Sequence, residues 1–123
     1  MKRIVIIAIT LSMLIGCISQ TDTNIKKLDV VTFKNEIDKE DVQLIDVRTP
    51  KEFKAGHIET AKLIDFLSND FNEKAQALDK TKPVYLYCKR GGRSAKASKV
   101  LNDLGFTKIY DLKGGFLAWL KDN

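Results

Sequence analysis

Cys88 lies between an apolar stretch and a loop of glycines and cations, a setting that suits a nucleophile. The run Val84–Tyr87 predicts a buried strand that ends at Cys88, and the loop that follows contains Gly91 and Gly92. Glycine lets backbone N–H groups converge on one point, and the start of a helix adds partial positive charge there. We therefore expect Cys88 to be held as a thiolate, the form of cysteine that attacks.

Alternating strands and helices must position this loop. After it, Ala97, Val100, Leu101 and Leu104 recur at helical spacing before Gly105. The predicted strands are Leu28–Val30, Val42–Val47, Ala61–Ile64, Val84–Cys88 and Lys108–Asp111, and the other predicted helices are Val31–Ile37, Pro50–Ala55, Phe66–Leu78 and a tail from Gly115 through Leu120. This order predicts an α/β domain with a mostly parallel central sheet and helices on both faces. Ligands of such folds bind beyond the carboxyl ends of the strands, where Cys88 and Asp46 lie.

Thr49, Pro50 and Glu52 form a helix-start pattern next to the Asp46 strand. Thr49 suits the N-cap, Pro50 the first helical position, and Glu52 the third, which together approximate a capping box. We therefore expect the short helix to begin at Pro50.

Four sequence blocks, in order and at matching spacing, resemble the single-domain rhodaneses, a family of sulfurtransferases. The resemblance covers roughly residues 27–123. The blocks are Asp46-Val47-Arg48, Glu52–Ile58, Cys88–Ser94 and Leu112–Trp119. The chain departs from the family at Glu59-Thr60-Ala61, where a Pro-Gly-Ala-like turn is common, and we expect one wall of the pocket to differ.

The resemblance implies a catalytic Cys88 that carries sulfane sulfur as a persulfide, with no cofactor. The donor would be a small anion such as thiosulfate, polysulfide or a persulfide, and the acceptor a thiol, cyanide or a partner protein. The substrate-binding residues would be Lys89, Arg90, Gly91, Gly92, Arg93 and Ser94. Lys89 and Arg90 would recruit the anion, Arg93 would hold the loop or an anion, and Ser94 would cap the helix or donate to the terminal sulfur.

Residues outside the loop are expected to support it. In the family the Asp46–Arg48 segment buttresses the catalytic loop, and Arg48 could pair with Glu52 one helical turn away. His57 is expected in a structural turn and Phe116 and Trp119 in the core. Gly114-Gly115 is expected to permit close backbone approach near the pocket.

Two other classes of function are compatible with parts of this pattern. Cysteine phosphatases and arsenate reductases on a related scaffold separate Cys and Arg by five residues, whereas four residues separate Cys88 from Arg93 here. The shorter loop suits one sulfur atom better than a tetrahedral oxyanion. A membrane-tethered persulfide carrier or a non-catalytic rhodanese-like binding module is the further alternative.

The N-terminus predicts export and lipid anchoring. Lys2-Arg3, the apolar run Ile4–Ile15 and Gly16 form a signal peptide, and Leu14–Cys17 resembles a bacterial lipobox. An ordinary signal peptide with an incidental Cys17 is the alternative. We expect a signal peptide over residues 1–16, a lipidated Cys17 with a flexible tether through Lys26, and the folded domain over residues 27–123. The protein would then be anchored in the cell envelope, on the periplasmic or extracellular face of a bacterial membrane.

The formal charge and the cysteine content argue against nucleic acid and a structural metal ion as partners. Loss of Lys2 and Arg3 with the signal lowers the formal charge from +5 to +3, which is too mild to argue for nucleic acid. If Cys17 is lipidated, one histidine and one free cysteine remain, which cannot build a structural zinc site, so we expect no metal. Lipidation of Cys17 would leave Cys88 as a free thiol.

Overall fold

A computed structural model describes residues 23–39 and 42–123. The predicted signal peptide, the lipidated Cys17 and most of the predicted tether lie outside these residues. Within the described part, no helix combines the length and the apolar character needed to cross a membrane.

The domain alternates five strands with five helices. In chain order these are β1 (Ile25–Leu28), α1 (Val30–Ile37), β2 (Gln43–Asp46), α2 (Pro50–Ala55), β3 (Lys62–Leu63), α3 (Phe71–Gln76), β4 (Val84–Tyr87), α4 (Gly92–Asp103), β5 (Ile109–Leu112) and α5 (Gly115–Asp122). The Thr49 side chain and Glu52 form the predicted capping box at the start of α2.

The strands form one parallel sheet in the order β1-β5-β4-β2-β3. Strand β4 is central, with Leu86 opposite both Ile45 of β2 and Asp111 of β5. Asp46 lies opposite Tyr87, so β2 and β4 end side by side and place Cys88 near the segment that follows Asp46. The predicted α/β architecture is confirmed.

Two apolar clusters cover the two faces of the sheet. One joins residues of α3 and α4, including Ala97 and Leu101, to Leu86 and Ile109. The other joins α1 and α5 to the opposite face of the same strands. Because burial of apolar area is the main favourable term in folding, these layers fix β4 and the loop that follows it.

Strand β1 corrects the N-terminal boundary. The predicted tether extended through Lys26 and the predicted edge strand ran from Leu28 to Val30, whereas β1 occupies Ile25–Leu28 and Val30 begins α1. Two consecutive exposed lysines, Lys26 and Lys27, interrupt the alternation by which a strand is recognised. The strand forms through its pairing with β5, a long-range contact.

Helix α3 is shorter than the predicted Phe66–Leu78, since it begins at Phe71. Side chains stabilise a turn before it: Asp65 accepts a hydrogen bond from the Leu67 N–H at 2.9 Å, and the Ser68 hydroxyl donates to Asp70. Such local hydrogen bonds compete with helix formation.

Candidate active site

Cys88 follows the last residue of β4 and lies beneath the loop that enters α4. Its side chain is 1% exposed, and the Gly91 N–H donates a hydrogen bond to Sγ at 3.0 Å. Gly91 has a φ of +120°, a conformation that glycine adopts without a steric cost. The loop therefore directs one of its amides at the sulfur, which favours negative charge there.

Ser94 is the second polar group at the sulfur. The Cys88 thiol donates to the Ser94 hydroxyl over 3.4 Å, and that hydroxyl lies 3.2 Å from the Gly91 carbonyl, to which it can donate. Ser94 is fully buried in the first turn of α4, whose N-cap is Gly91 without a side-chain capping bond. Ser94 thus lies next to the sulfur as an acceptor from the thiol, and its predicted donation to a terminal sulfur stays a prediction.

The N-terminus of α5 holds the loop from the other side. The Phe116 N–H donates to the Cys88 carbonyl at 2.8 Å, and the Leu117 N–H donates to the Lys89 carbonyl at 3.2 Å. A Cβ on Gly115 would lie 2.5 Å from each of these carbonyl oxygens. The predicted close backbone approach at Gly114-Gly115 is therefore present.

Arg93 binds a partner that the sequence did not predict. Its Nη1 and Nη2 donate to Glu52 Oε1 and Oε2 at 2.6 and 3.0 Å, which joins the start of α4 to α2. The predicted Arg48–Glu52 pair is wrong, because Glu52 is turned toward Arg93. The hydrogen bonds from Arg93 lower the pKa of Glu52 to about 2.

Asp46 and Arg48 form a buried ion pair behind the loop. Arg48 Nε and Nη2 donate to the Asp46 carboxylate at 2.7–3.0 Å, and Nη2 also donates to the Gly56 carbonyl at 2.7 Å. The guanidinium lies 4.3 Å from the Phe116 ring centroid. Asp46 thus orients Arg48 against α5, the helix that holds the loop carbonyls.

Two cavities flank the loop and carry its remaining cations. One, of about 200 Å³, is lined by Arg48, Glu52, Lys89, Phe116 and others. The second, of about 340 Å³, includes Lys27, Arg90, Gly91, Gly92, Asp111 and Lys113 in its lining. Of the loop residues predicted to bind substrate, Lys89 lines the first cavity and Arg90, Gly91 and Gly92 line the second, and Lys89 and Arg90 are exposed.

His57, Phe116 and Trp119 occupy the surroundings that were predicted for them. The His57 ring is exposed and stacks on Phe53 with centroids 3.7 Å apart, and its Nδ1 lies 2.8 Å from the Phe53 carbonyl oxygen. Phe116 and Trp119 pack against the α1–α5 face of the core. These contacts are structural.

Asp111 is a buried carboxylate near the site that the sequence reasoning missed. It is 2% exposed, and its Oδ1 has no hydrogen-bond partner among the described residues. Burial raises the pKa of Asp111 to about 6. An acidic residue within the apolar run Ile109–Leu112 was the available signal, since carboxylates are seldom buried without a role.

The chain belongs to the family of rhodanese-like domains, whose model matches residues 29–122. A rhodanese-related protein from Thermoplasma volcanium has a similar structure, with a TM-score of 0.70 and 28% identity over 80% of this chain and 93% of that one. Family and fold agree with the resemblance drawn from the four sequence blocks.

Among relatives, the protein YqhL of Bacillus subtilis is 46% identical over 63% of this chain and 60% of its own length. The putative sulfurtransferase YtwF of the same organism is 35% identical over 77% of this chain and 90% of its own. A tRNA uridine(34) hydroxylase of Cytophaga hutchinsonii is 38% identical over 76% of this chain, which spans only 31% of that enzyme. Together these relatives support a role of the sulfur-transfer type.

Proposed function

We propose that this protein is a sulfurtransferase that carries sulfane sulfur on Cys88. The supporting observation is the pair of polar groups on Sγ, namely the Gly91 N–H at 3.0 Å and the Ser94 hydroxyl at 3.4 Å. The amide that already points at Sγ would stabilise negative charge on the sulfur during the reaction.

The reaction runs in two displacement steps. The Cys88 thiolate attacks the outer sulfur of an anionic donor, and the donor's sulfur–sulfur bond breaks with its electron pair leaving on the donor fragment, which is sulfite when thiosulfate is used. A thiol or cyanide then attacks the outer sulfur of the Cys88 persulfide, and the Cys88 thiolate leaves. Each cycle regenerates the enzyme, as in other covalent mechanisms.

The Gly91 N–H that reaches Sγ would help to stabilise the persulfide, and Ser94, which accepts from the thiol, could donate to the sulfur once the thiol proton is lost. Amides that are already oriented cost no reorganisation when negative charge develops on the outer sulfur. The exposed Lys89 and Arg90 add positive charge at the loop, which raises the rate at which an anionic donor arrives. Because Cys88 is 1% exposed, small donors would be favoured over bulky ones.

Two alternatives are tested together with this proposal. Phosphatase or arsenate reductase activity is disfavoured, because the four-residue loop between Cys88 and Arg93 is short and Arg93 is already engaged by Glu52. A persulfide carrier would form the same Cys88 persulfide but would need a partner protein as acceptor. We also propose that lipidation of Cys17 anchors the protein in the cell envelope, on the basis of its lipobox-like sequence.

Intact-mass spectrometry after incubation with thiosulfate tests the central step. We expect the mass of one added sulfur atom, which Cys88→Ser abolishes and Cys17→Ser retains. Thiocyanate formation from thiosulfate and cyanide, measured beside hydrolysis of an aryl phosphate, separates the classes of function. Phosphate release without thiocyanate would reject the sulfurtransferase, and a persulfide without thiocyanate would favour the carrier.

A further inference from the structure

The larger of the two cavities beside the Cys88 loop is lined by cations from three parts of the fold. Its volume is about 340 Å³, and the cations are Lys27 of β1, Arg90 of the loop and Lys113 directly after β5. Asp111, whose side chain is buried, is the acidic residue among the described residues that line it. Three cations against one carboxylate give this cavity a positive potential, which favours an anionic ligand.

These cations are not neutralised by contact with carboxylates of the protein. Within residues 23–39 and 42–123, no ion pair joins Lys27, Arg90 or Lys113 to an acidic side chain. Asp111 and Asp29 attract Lys27 and Lys113, respectively, only at longer range. All three basic residues are exposed, so their side chains can turn toward a ligand. A cation without a contacting carboxylate keeps more of its attraction for a ligand anion.

The smaller cavity, of about 200 Å³, has most of its charges neutralised within the protein. Arg48 pairs with Asp46 at 2.7 Å, and Glu52 pairs with Arg93 at 2.6 Å. Among the described residues that line this cavity, Lys89 is then the cation without an ion pair. Cavities that bind small molecules usually have volumes of about 300–1,000 Å³. Charge and volume therefore both favour the larger cavity as the one that receives an anion.

The larger cavity also adjoins the loop that holds the reacting sulfur. Gly91 lines this cavity and donates its N–H to Cys88 Sγ at 3.0 Å. Gly92 lines it too and begins the 12-residue helix α4, whose N-terminus has no side-chain capping bond. The N–H groups of such a first turn carry partial positive charge, which adds to that of the side chains. The cavity therefore attracts an anion to the immediate surroundings of the nucleophile.

We propose that this cavity binds the anionic end of the sulfur donor, and that Lys27 and Lys113 bind the donor together with Arg90. Neither lysine was among the residues that the sequence predicted to bind substrate. With thiosulfate, the outer sulfur forms a bond to Cys88 Sγ, and the donor's sulfur–sulfur bond breaks. The electron pair of that bond stays on sulfite, which the cations hold until it diffuses away. This inference deepens the proposed function and rests on it, because the donor is the substrate of that reaction.

Steady-state kinetics of thiocyanate formation from thiosulfate and cyanide test this site in the full chain. We expect Lys27→Gln and Lys113→Gln each to raise the KM for thiosulfate by about 3–10-fold and to leave kcat within about twofold, because the cations bind the donor and the departing sulfite alike. Lys26→Gln is the matched control, since neighbouring residues of a strand point to opposite faces of the sheet. It removes the same charge from β1 but lies outside the lining of the cavity, so its KM should stay within about twofold of the wild type.

Other kinetic outcomes would reject the site. Equal increases of KM in Lys26→Gln and Lys27→Gln would show that net charge alone attracts the donor. An unchanged KM in both Lys27→Gln and Lys113→Gln would remove these residues from donor binding. A fall of kcat at unchanged KM would indicate a structural effect.

Titration with sulfate, followed by the NMR shifts of backbone amides, separates this inference from the proposed function, because sulfate carries no sulfane sulfur. We expect the largest shifts in the amides that line the larger cavity, Gly91 and Gly114 among them, and weaker binding in Lys27→Gln but not in Lys26→Gln. A chain that shows these shifts but forms no persulfide rejects the proposed function and keeps the anion site. Shifts confined to the lining of the smaller cavity, or no shifts at all, would overturn the inference.

Discussion

Gly115→Ala should displace the loop that carries Cys88. An added Cβ would lie 2.5 Å from the carbonyl oxygens of Cys88 and Lys89 and 2.6 Å from the Lys89 carbonyl carbon, all backbone atoms that cannot rotate away. Overpacking of this kind costs about 1–3 kcal/mol. The φ of +62° at Gly115 adds about 1–2 kcal/mol for any residue with a Cβ. We therefore expect a loss of about 2–5 kcal/mol in the free energy of unfolding.

Gly105→Ala is the matched control. Gly105 also has a positive φ, +103°, but a Cβ there would meet only the flexible Lys80 side chain at 3.8 Å. It therefore carries the backbone strain without the clash, and the difference between the two variants isolates the contact with the loop.

Urea unfolding, followed by the fluorescence of Trp119, gives both free energies. Alkylation of Cys88 at pH 7 gives the local effect: Gly115→Ala should be about tenfold slower, because displacement of the loop weakens the Gly91 N–H bond to Sγ, whereas Gly105→Ala should match the wild type. Equal stability losses in the two variants, with equal alkylation rates, would refute the view that α5 holds the loop.

Three further predictions concern the ion pairs and the anchor. The pKa of Glu52 is about 2 when folded against 4.5 unperturbed, so its stabilisation is present above pH 4.5 and is lost as the pH falls to about 2. Between pH 4.5 and about 2, the free energy of unfolding should fall by ~1–2 kcal/mol more in the wild type than in Glu52→Gln. Parallel curves of unfolding free energy against pH for the two proteins would contradict this prediction. Asp46→Asn leaves Arg48 buried without its carboxylate and should cost about 3–5 kcal/mol in urea unfolding; a loss below ~1 kcal/mol would contradict that pairing. Cys17→Ala should move the protein from the membrane fraction to the soluble one, and continued sedimentation with membranes would reject lipidation.

The sequence predicted those features that are determined by residues close together in the chain. The Cys88 loop, the capping box of Thr49 and Glu52, and helix α4 each follow from neighbouring residue types, and the structure contains all three. Close backbone approach at Gly114-Gly115 was also predicted, because glycine has no Cβ to prevent it.

Features that depend on the partner across the sheet could not be predicted in this way. Strand β1 exists because β5 pairs with it, and its own residues show no alternation. Glu52 had two arginines within reach in principle, and only the packing of α2 beside α4 selects Arg93 over Arg48.

The hydrogen bonds from Phe116 and Leu117 to the carbonyls of Cys88 and Lys89 also bear on biogenesis. The donors belong to α5, the last element described. The loop that carries Cys88 therefore gains these two hydrogen bonds only after α5 has been synthesised. Until then the carbonyls of Cys88 and Lys89 lack the two amide donors that fix the loop.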